Sequence, residues 1–392
     1  MLQMLRIMFP ADCSCASAQR ANCVGKCVQV ISLLVCVLLL DSCRQDVPML
    51  SLGLDNAYSV ERMRVLVLHP EYEGSSYEWR LNDSLVATTH DYVFCQAMPD
   101  TYRLSFRIID EHNPVCHEMT IRVWDEQVAY SPYISKVYEY CPAPGQFVNV
   151  LPAYEQGDTY ADILRKAEEQ IAGDNKNVIT LGGWGGYVTF GFDHAVMNYS
   201  GMRDFQIRGN AVQNGNTSVS SEPGIVMVSA DRNGNGIPDD EWYELQGSEH
   251  GNGETLHNYS LTYTNGDSVT WTDNRGQTGC IPNNTFHTQP YFPQWLSETE
   301  LSFNGTCLPP NVHYNGSVYV YTALDYGYAD NKANTDTTGT SFDISWAVDK
   351  NGEPADLDFI NFVRVYTGTN AVFGWVGEMS TEVMGALDLH IE

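Results

Sequence analysis

The chain has 392 residues, 43% of them hydrophobic and 18% charged, a composition that suits folded domains and excludes a disordered chain. With 21 basic against 49 acidic side chains the net charge is −28, a field that repels nucleic acid and removes nucleic-acid binding from consideration. Of the eleven cysteines, the five beyond Cys43 (Cys95, Cys116, Cys141, Cys280 and Cys307) are odd in number and lack C-x-x-C spacing, so neither a zinc knuckle nor a disulfide framework is expected. Cys95 and Cys116 either pair across one small domain or stand as isolated thiols.

Residues 1–42 read as an export signal. Lys26 precedes an apolar run from Val28 to Leu40, which is too short for a bilayer span of roughly 20 residues but fits a signal-peptide core. Leu40-Asp41-Ser42-Cys43 resembles a bacterial lipobox, with Cys43 as the acylated residue; Asp41 departs from the usual small residue there. The acidity is retained after cleavage, because residues 1–42 hold only three basic and two acidic side chains. Residues 43–57 form a tether.

From 58 to 126 the pattern is that of strands. Arg62 to Val67 opens it, Tyr77 to Leu81 follows, and the turn Asn82-Asp83 leads into Leu85-Val86-Ala87. Thr101 to Ile108 and Met119 to Trp124 alternate polar and apolar residues, which sends one set of side chains to a core and the other to water. The expectation is a small immunoglobulin-like sandwich with Trp79 in its core. Val128 to Tyr154 is a Pro-containing connection. The one clear helix follows, capped by Asp158 or Thr159 and stopped at Gly173, with Ala161, Leu164, Ala167 and Ile171 as its apolar stripe. From Val178 onwards strands alternate with Gly/Asn-rich turns, so 127–392 is expected to be a larger jelly-roll-like β domain with one packed helix. The run Gly182-Gly183-Trp184-Gly185-Gly186 lacks the Lys-Ser/Thr of a phosphate loop, and its glycines fit close strand packing or turns.

The most specific motif is Asp231-Arg232-Asn233-Gly234-Asn235-Gly236-Ile237-Pro238-Asp239-Asp240-Glu241. Calcium takes six to eight oxygens at roughly 2.3–2.6 Å. Asp231, Asn233, Asn235 and Asp239 offer side-chain oxygens, Ile237 its carbonyl, and Gly236 the sharp turn. The twelfth position is Trp242, so Asp240 or Glu241 must supply the closing carboxylate. A structural Ca2+ is expected here, with a metal-free Asn/Gly turn as the alternative.

Tyr77-x-Trp79, Leu81-Asn82-Asp83 and Pro99-Asp100-Thr101-Tyr102 resemble a PKD-like domain. Leu181 to Tyr187, Glu222-Pro223-Gly224-Ile225-Val226, the Asp/Asn loop running into Trp242-Tyr243-Glu244-Leu245, Phe286 to Tyr291, Asp325 to Asp330 and Phe342 to Val348 resemble Bacteroidetes cell-surface lipoproteins that carry such a domain. The signal and lipid imply an outer-membrane lipoprotein that faces outwards or into the periplasm, with surface display as the expectation. The resemblance implies as partner a TonB-dependent transporter and as ligand a glycan or a corrinoid.

No G-x-S-x-G or H-E-x-x-H occurs. A glycosidase pair could hide among Asp239, Glu241, Glu244, Asp325 and Asp343, since such a pair is defined by spatial separation. His194 and His287 read as hydrogen-bonded loop residues. Trp184, Tyr187, Trp242, Tyr243, Trp271, Tyr291, Tyr326 and Tyr328 lie in or beside Gly/Asn/Asp loops and are the expected ligand-stacking rings, whereas Trp346 and Trp375 are expected in the core. The reading is therefore a binder, not an enzyme, with a surface scaffold or adhesin as the alternative.

Overall fold

The computed structural model describes residues 52–391 except 110–114, 125–128, 175, 215–216 and 219. The expected signal peptide, Cys43 and most of the tether lie outside the described residues.

Among the described residues the fold is all-β with one packed α-helix, as the strand periodicity implies. Its N-terminal part contains β1 (Ala57–Glu61), β2 (Leu66–Leu68), β3 (Tyr77–Leu81), β4 (Ser84–Ala87), β5 (Tyr92–Phe94), β6 (Asp100–Ile108) and β7 (Val115–Trp124). Five of these form a sheet in the order β1-β7-β6-β3-β4, with β1 parallel to β7, and β2 pairs with β5. Leu104, Phe106 and Ile108 on β6 and Met119, Ile121 and Val123 on β7 point into the core. Trp79 is fully buried, 4.3 Å from the Phe106 ring and 5.5 Å from Tyr92, so the β2/β5 ribbon closes over the sheet. Its Nε1–H donates to Thr89 O at 3.0 Å, which satisfies the one polar atom that burial would orphan. Asn82 and Asp83 both have positive φ (47° and 71°), the type I′ geometry that matches strand twist in a two-residue hairpin.

The expected opening strand Arg62 to Val67 is broken. Met63 takes a left-handed φ of 56° and turns its side chain inward, where it is buried with Cys95, Tyr130, Ala195, Met197, Ala230 and Phe359. Main-chain bonds fix this junction: Met63 N donates to Gln96 O at 2.8 Å, and Ala195 N to Met63 O at 3.0 Å. Tertiary burial of one methionine outweighs local alternation. The five described cysteines are free thiols, with Cys95 buried and Cys116 exposed.

The head is built on a six-stranded antiparallel sheet ordered Ala347–Val348, Tyr243–Leu245, Gly224–Ser229, Phe359–Thr367, Tyr187–Met197 and Lys136–Cys141. Val188, Phe190, Val226, Val228, Val363 and Val365 bury one face of it, together with Phe205 and Phe342 of a three-stranded sheet. The helix Tyr160–Ile171 starts at Thr159 in a capping box with Asp162 and buries Ile163, Ala167 and Ile171. Ala161 is exposed, so the apolar stripe runs through Ile163 instead. A second antiparallel sheet (Thr278–Ile281, Val269–Asp273, Leu256–Thr264, Glu300–Cys307) packs around Trp184, Tyr263 and Phe303.

Candidate functional site

Gly224–Ser229 and Tyr243–Leu245 are hairpin partners, and the Asp/Asn loop is the hairpin's connection. Asp231 is 6% exposed; its Oδ1 accepts the Asn235 N–H at 3.1 Å and its Oδ2 the Gly236 N–H at 2.9 Å. Asn233 and Asn235 turn their Oδ1 atoms onto loop amides and their Nδ2 groups onto Asp239. Those amide donors hold the Asp239 carboxyl below the usual range. Asp240 folds back to accept the Arg232 N–H at 3.1 Å, whereas Glu241 accepts the Tyr243 hydroxyl at 2.9 Å. Of the two candidates for the closing carboxylate, Asp240 is therefore the better placed. Ile237 O is engaged by the Asp239 N–H at 2.8 Å. A donor set made only of oxygens, gathered on one short loop, fits a hard cation.

The expected ligand-stacking rings separate into three groups. Trp184, Tyr291 and Tyr328 are buried, 1–3% exposed, and have no face free for a ligand. The glycines around Trp184 permit the close packing expected of them, since a Cβ at Gly186 would lie 1.9 Å from Leu181 O, and the ring between them is enclosed. Tyr187, Tyr243 and Trp271 are half-buried on strands, Trp271 lying across its partner Gly279. Tyr326 is 43% exposed and packs against Trp346, which is itself half-buried under Arg203. Trp375, expected in the core, is 65% exposed. It sits at a hairpin tip between Gly374 and Gly377, where the flanking glycines were the usable sign of a turn.

Trp242 lines a cleft of about 680 Å³. Arg364 stacks on the Trp242 ring at 4.3 Å and on Tyr187 at 4.6 Å, and is itself tied to Glu139 and Thr189. That clamp fixes the indole without occupying the cleft. Around it stand Glu244, His250, His257, Asn304 and Lys350. Thr306 Oγ1 donates to Glu244 Oε2 at 2.7 Å, and His250 Nδ1 lies 3.2 Å from Glu244 Oε1. These residues come from four separate segments, so no local motif marks them. Of the five acids named as a hidden glycosidase pair, Glu244 alone lines this cleft. Asp343 instead caps a 3-10 turn and meets Arg203. His194 is buried between Asp193 and Asp388, and His287 packs edge-on against Phe147.

No protein-family model and no curated protein matches the chain. Among solved structures, a SusE-like protein aligns with 84% of this chain and 94% of its own, at 8% identity and a TM-score of 0.29. A quinonprotein alcohol dehydrogenase-like protein from Bacteroides thetaiotaomicron aligns with 58% of this chain and 59% of its own, at 12% identity and 0.18. A structure from work on carbohydrate-binding modules of the β-sandwich superfamily aligns with 85% and 94%, at 8% identity and 0.16. Likeness at these scores carries no argument about ligand, chemistry or location.

Proposed function

We propose that the protein is a lipid-anchored outer-membrane surface protein that captures a nutrient ligand, a glycan or a corrinoid, without transforming it. The observation that carries this reading is the Trp242 cleft: a clamped indole beside hydrogen-bonding Asn, His, Glu and Lys side chains. A sugar ring or corrin presents a flat apolar face to such an indole and polar edges to its rim. Acylation at Cys43 would hold the head at the membrane, where a TonB-dependent transporter would receive the ligand. Calcium at Asp231, Asn233, Asn235, Asp239 and Asp240 is part of the same proposal and has a structural role, fixing the hairpin that carries Trp242.

Calorimetric titration of the calcium-loaded protein with corrinoids and a panel of oligosaccharides tests this. Saturable binding that weakens in Trp242→Ala is the expected result. No binding to any of them, with calcium still raising the melting temperature, would leave a scaffold or adhesin. A second reading, glycoside hydrolysis, rests on Glu244 and Asp349 sharing the cleft lining. It requires release of new reducing ends that Glu244→Gln abolishes.

A further inference from the structure

A second cleft, of about 400 Å³, shares no lining residue with the first. Its aromatic walls are Phe147, Phe286, Tyr321 and Trp375, and Glu222 and Gln146 also reach it. Phe286 is 77% exposed and Trp375 65%, so their faces are open. The loops that carry them are cross-tied: Asn284 Nδ2 donates to Trp375 O at 2.9 Å, Asn284 Oδ1 accepts the Phe286 N–H at 2.9 Å, and Gln146 Nε2 donates to Val376 O at 2.9 Å. The walls are thus held in place before any ligand arrives.

Behind Glu222 lie Asp330 and Glu382, and one carboxylate oxygen from each of the three lies within 4.8 Å of the others. Among the described residues, the donors that reach them are neutral: backbone N–H groups of Ala211 and Glu382 on Asp330, Thr180, Ser380 and Asn210 on Glu382, and the Ser380 N–H on Glu222. Burial pushes the Glu222 and Asp330 carboxyls well up and Glu382 to about 7, as expected for acids without a cationic partner. Glu222 is the member of the trio that also lines the cleft.

We propose that this second cleft binds an organic ammonium ion, its charge set against Glu222 and its carbon-bound face against Trp375, Phe286 and Tyr321. A neutral hydroxyl brings no charge to stabilise an ionised Glu222. An ammonium ion offsets the burial and the neighbouring acids that hold Glu222 protonated, so binding releases the Glu222 proton. The cation then gains from the resulting carboxylate and from the ring faces, whose quadrupoles attract positive charge. An amine-bearing sugar and a quaternary ammonium carry the same chemistry, and the probes separate them.

The test is calorimetric titration of the purified protein with glucosamine and with choline, using glucose, N-acetylglucosamine and calcium chloride as controls. Binding of one or both ammonium probes is expected, weakened about tenfold in Trp375→Ala and in Glu222→Gln and unchanged in Trp242→Ala. Trp375 is exposed and Gln is isosteric with Glu, and unchanged circular dichroism checks the fold of each variant. Glucose or N-acetylglucosamine binding with the same Trp375 dependence would overturn the proposal in favour of a neutral-sugar platform. Calcium binding that Glu222→Gln abolishes, without ammonium binding, would overturn it in favour of a metal site. Absence of binding by both ammonium probes would overturn it outright.

Discussion

The two clefts of the head each pair an aromatic wall with a glutamate, but they treat that glutamate in opposite ways. Glu244, beside Trp242, is met by the Thr306 hydroxyl at 2.7 Å and by His250 at 3.2 Å, with Lys350 in the same lining. Glu222, beside Trp375, has a long contact from the Ser380 N–H at 3.4 Å, a side-chain hydrogen bond with Glu382, and two further buried acids behind it. The aromatic walls are interchangeable in kind. The residues behind them set which charge a ligand should carry.

The largest expected effect is on pH dependence, and it belongs to the acid-rich side. Glu378, buried close to this cluster, has its carboxyl pushed from 4.5 to about 8, first by burial and then by Glu382. A buried acid with a raised pKa holds its proton in the native state and releases it on unfolding. Its contribution is therefore full below about pH 4.5 and is lost as pH rises to about 8, a change on the order of 4–5 kcal/mol. Urea unfolding across that range should show the loss, and Glu378→Gln should flatten it. An equal flattening in Glu244→Gln would erase the contrast between the clefts.

Next in size is the distinction between rings that wall a cleft and rings that build the core. Trp184→Ala should cost about 3–5 kcal/mol, because the indole is fully enclosed and donates to Thr306 O at 3.3 Å. Trp375→Ala should change stability by no more than about 0.5 kcal/mol, as expected of an exposed side chain. Equal costs in urea titrations would mean that Trp375 is a core residue after all.

Most of the fold was legible because its information is local. The alternation in Thr101 to Ile108, the Asn82-Asp83 turn and the cap at Thr159 each follow from a few neighbouring residues. The clefts were not, because Glu244, His257, Asn304 and Lys350 meet only after four segments have folded together. Gly-flanked aromatics proved ambiguous in sequence: Trp184 has its glycines for tight packing, whereas Trp375 has its for a turn. The break at Met63 depends on partners as distant in sequence as Phe359.

Calcium gives a smaller effect. At a hundredfold excess over its Kd it should stabilise the protein by about 2.7 kcal/mol, and Asp231→Ala should remove that gain in thermal melts. A loss confined to Glu241→Ala would move the closing ligand from Asp240. The smallest change expected is in ligand affinity: Trp242→Ala should weaken glycan or corrinoid binding about tenfold, or about 1.4 kcal/mol, by calorimetry.

Hydrogen exchange with and without a saturating nutrient ligand addresses the central claim most directly, because it reports where the ligand sits. Slower exchange at Asn304 to Thr306 and at Val348 to Gly352, which line the Trp242 cleft, is the expected result. Protection confined to the loops around Phe286 and Trp375, with none at those segments, would contradict the account.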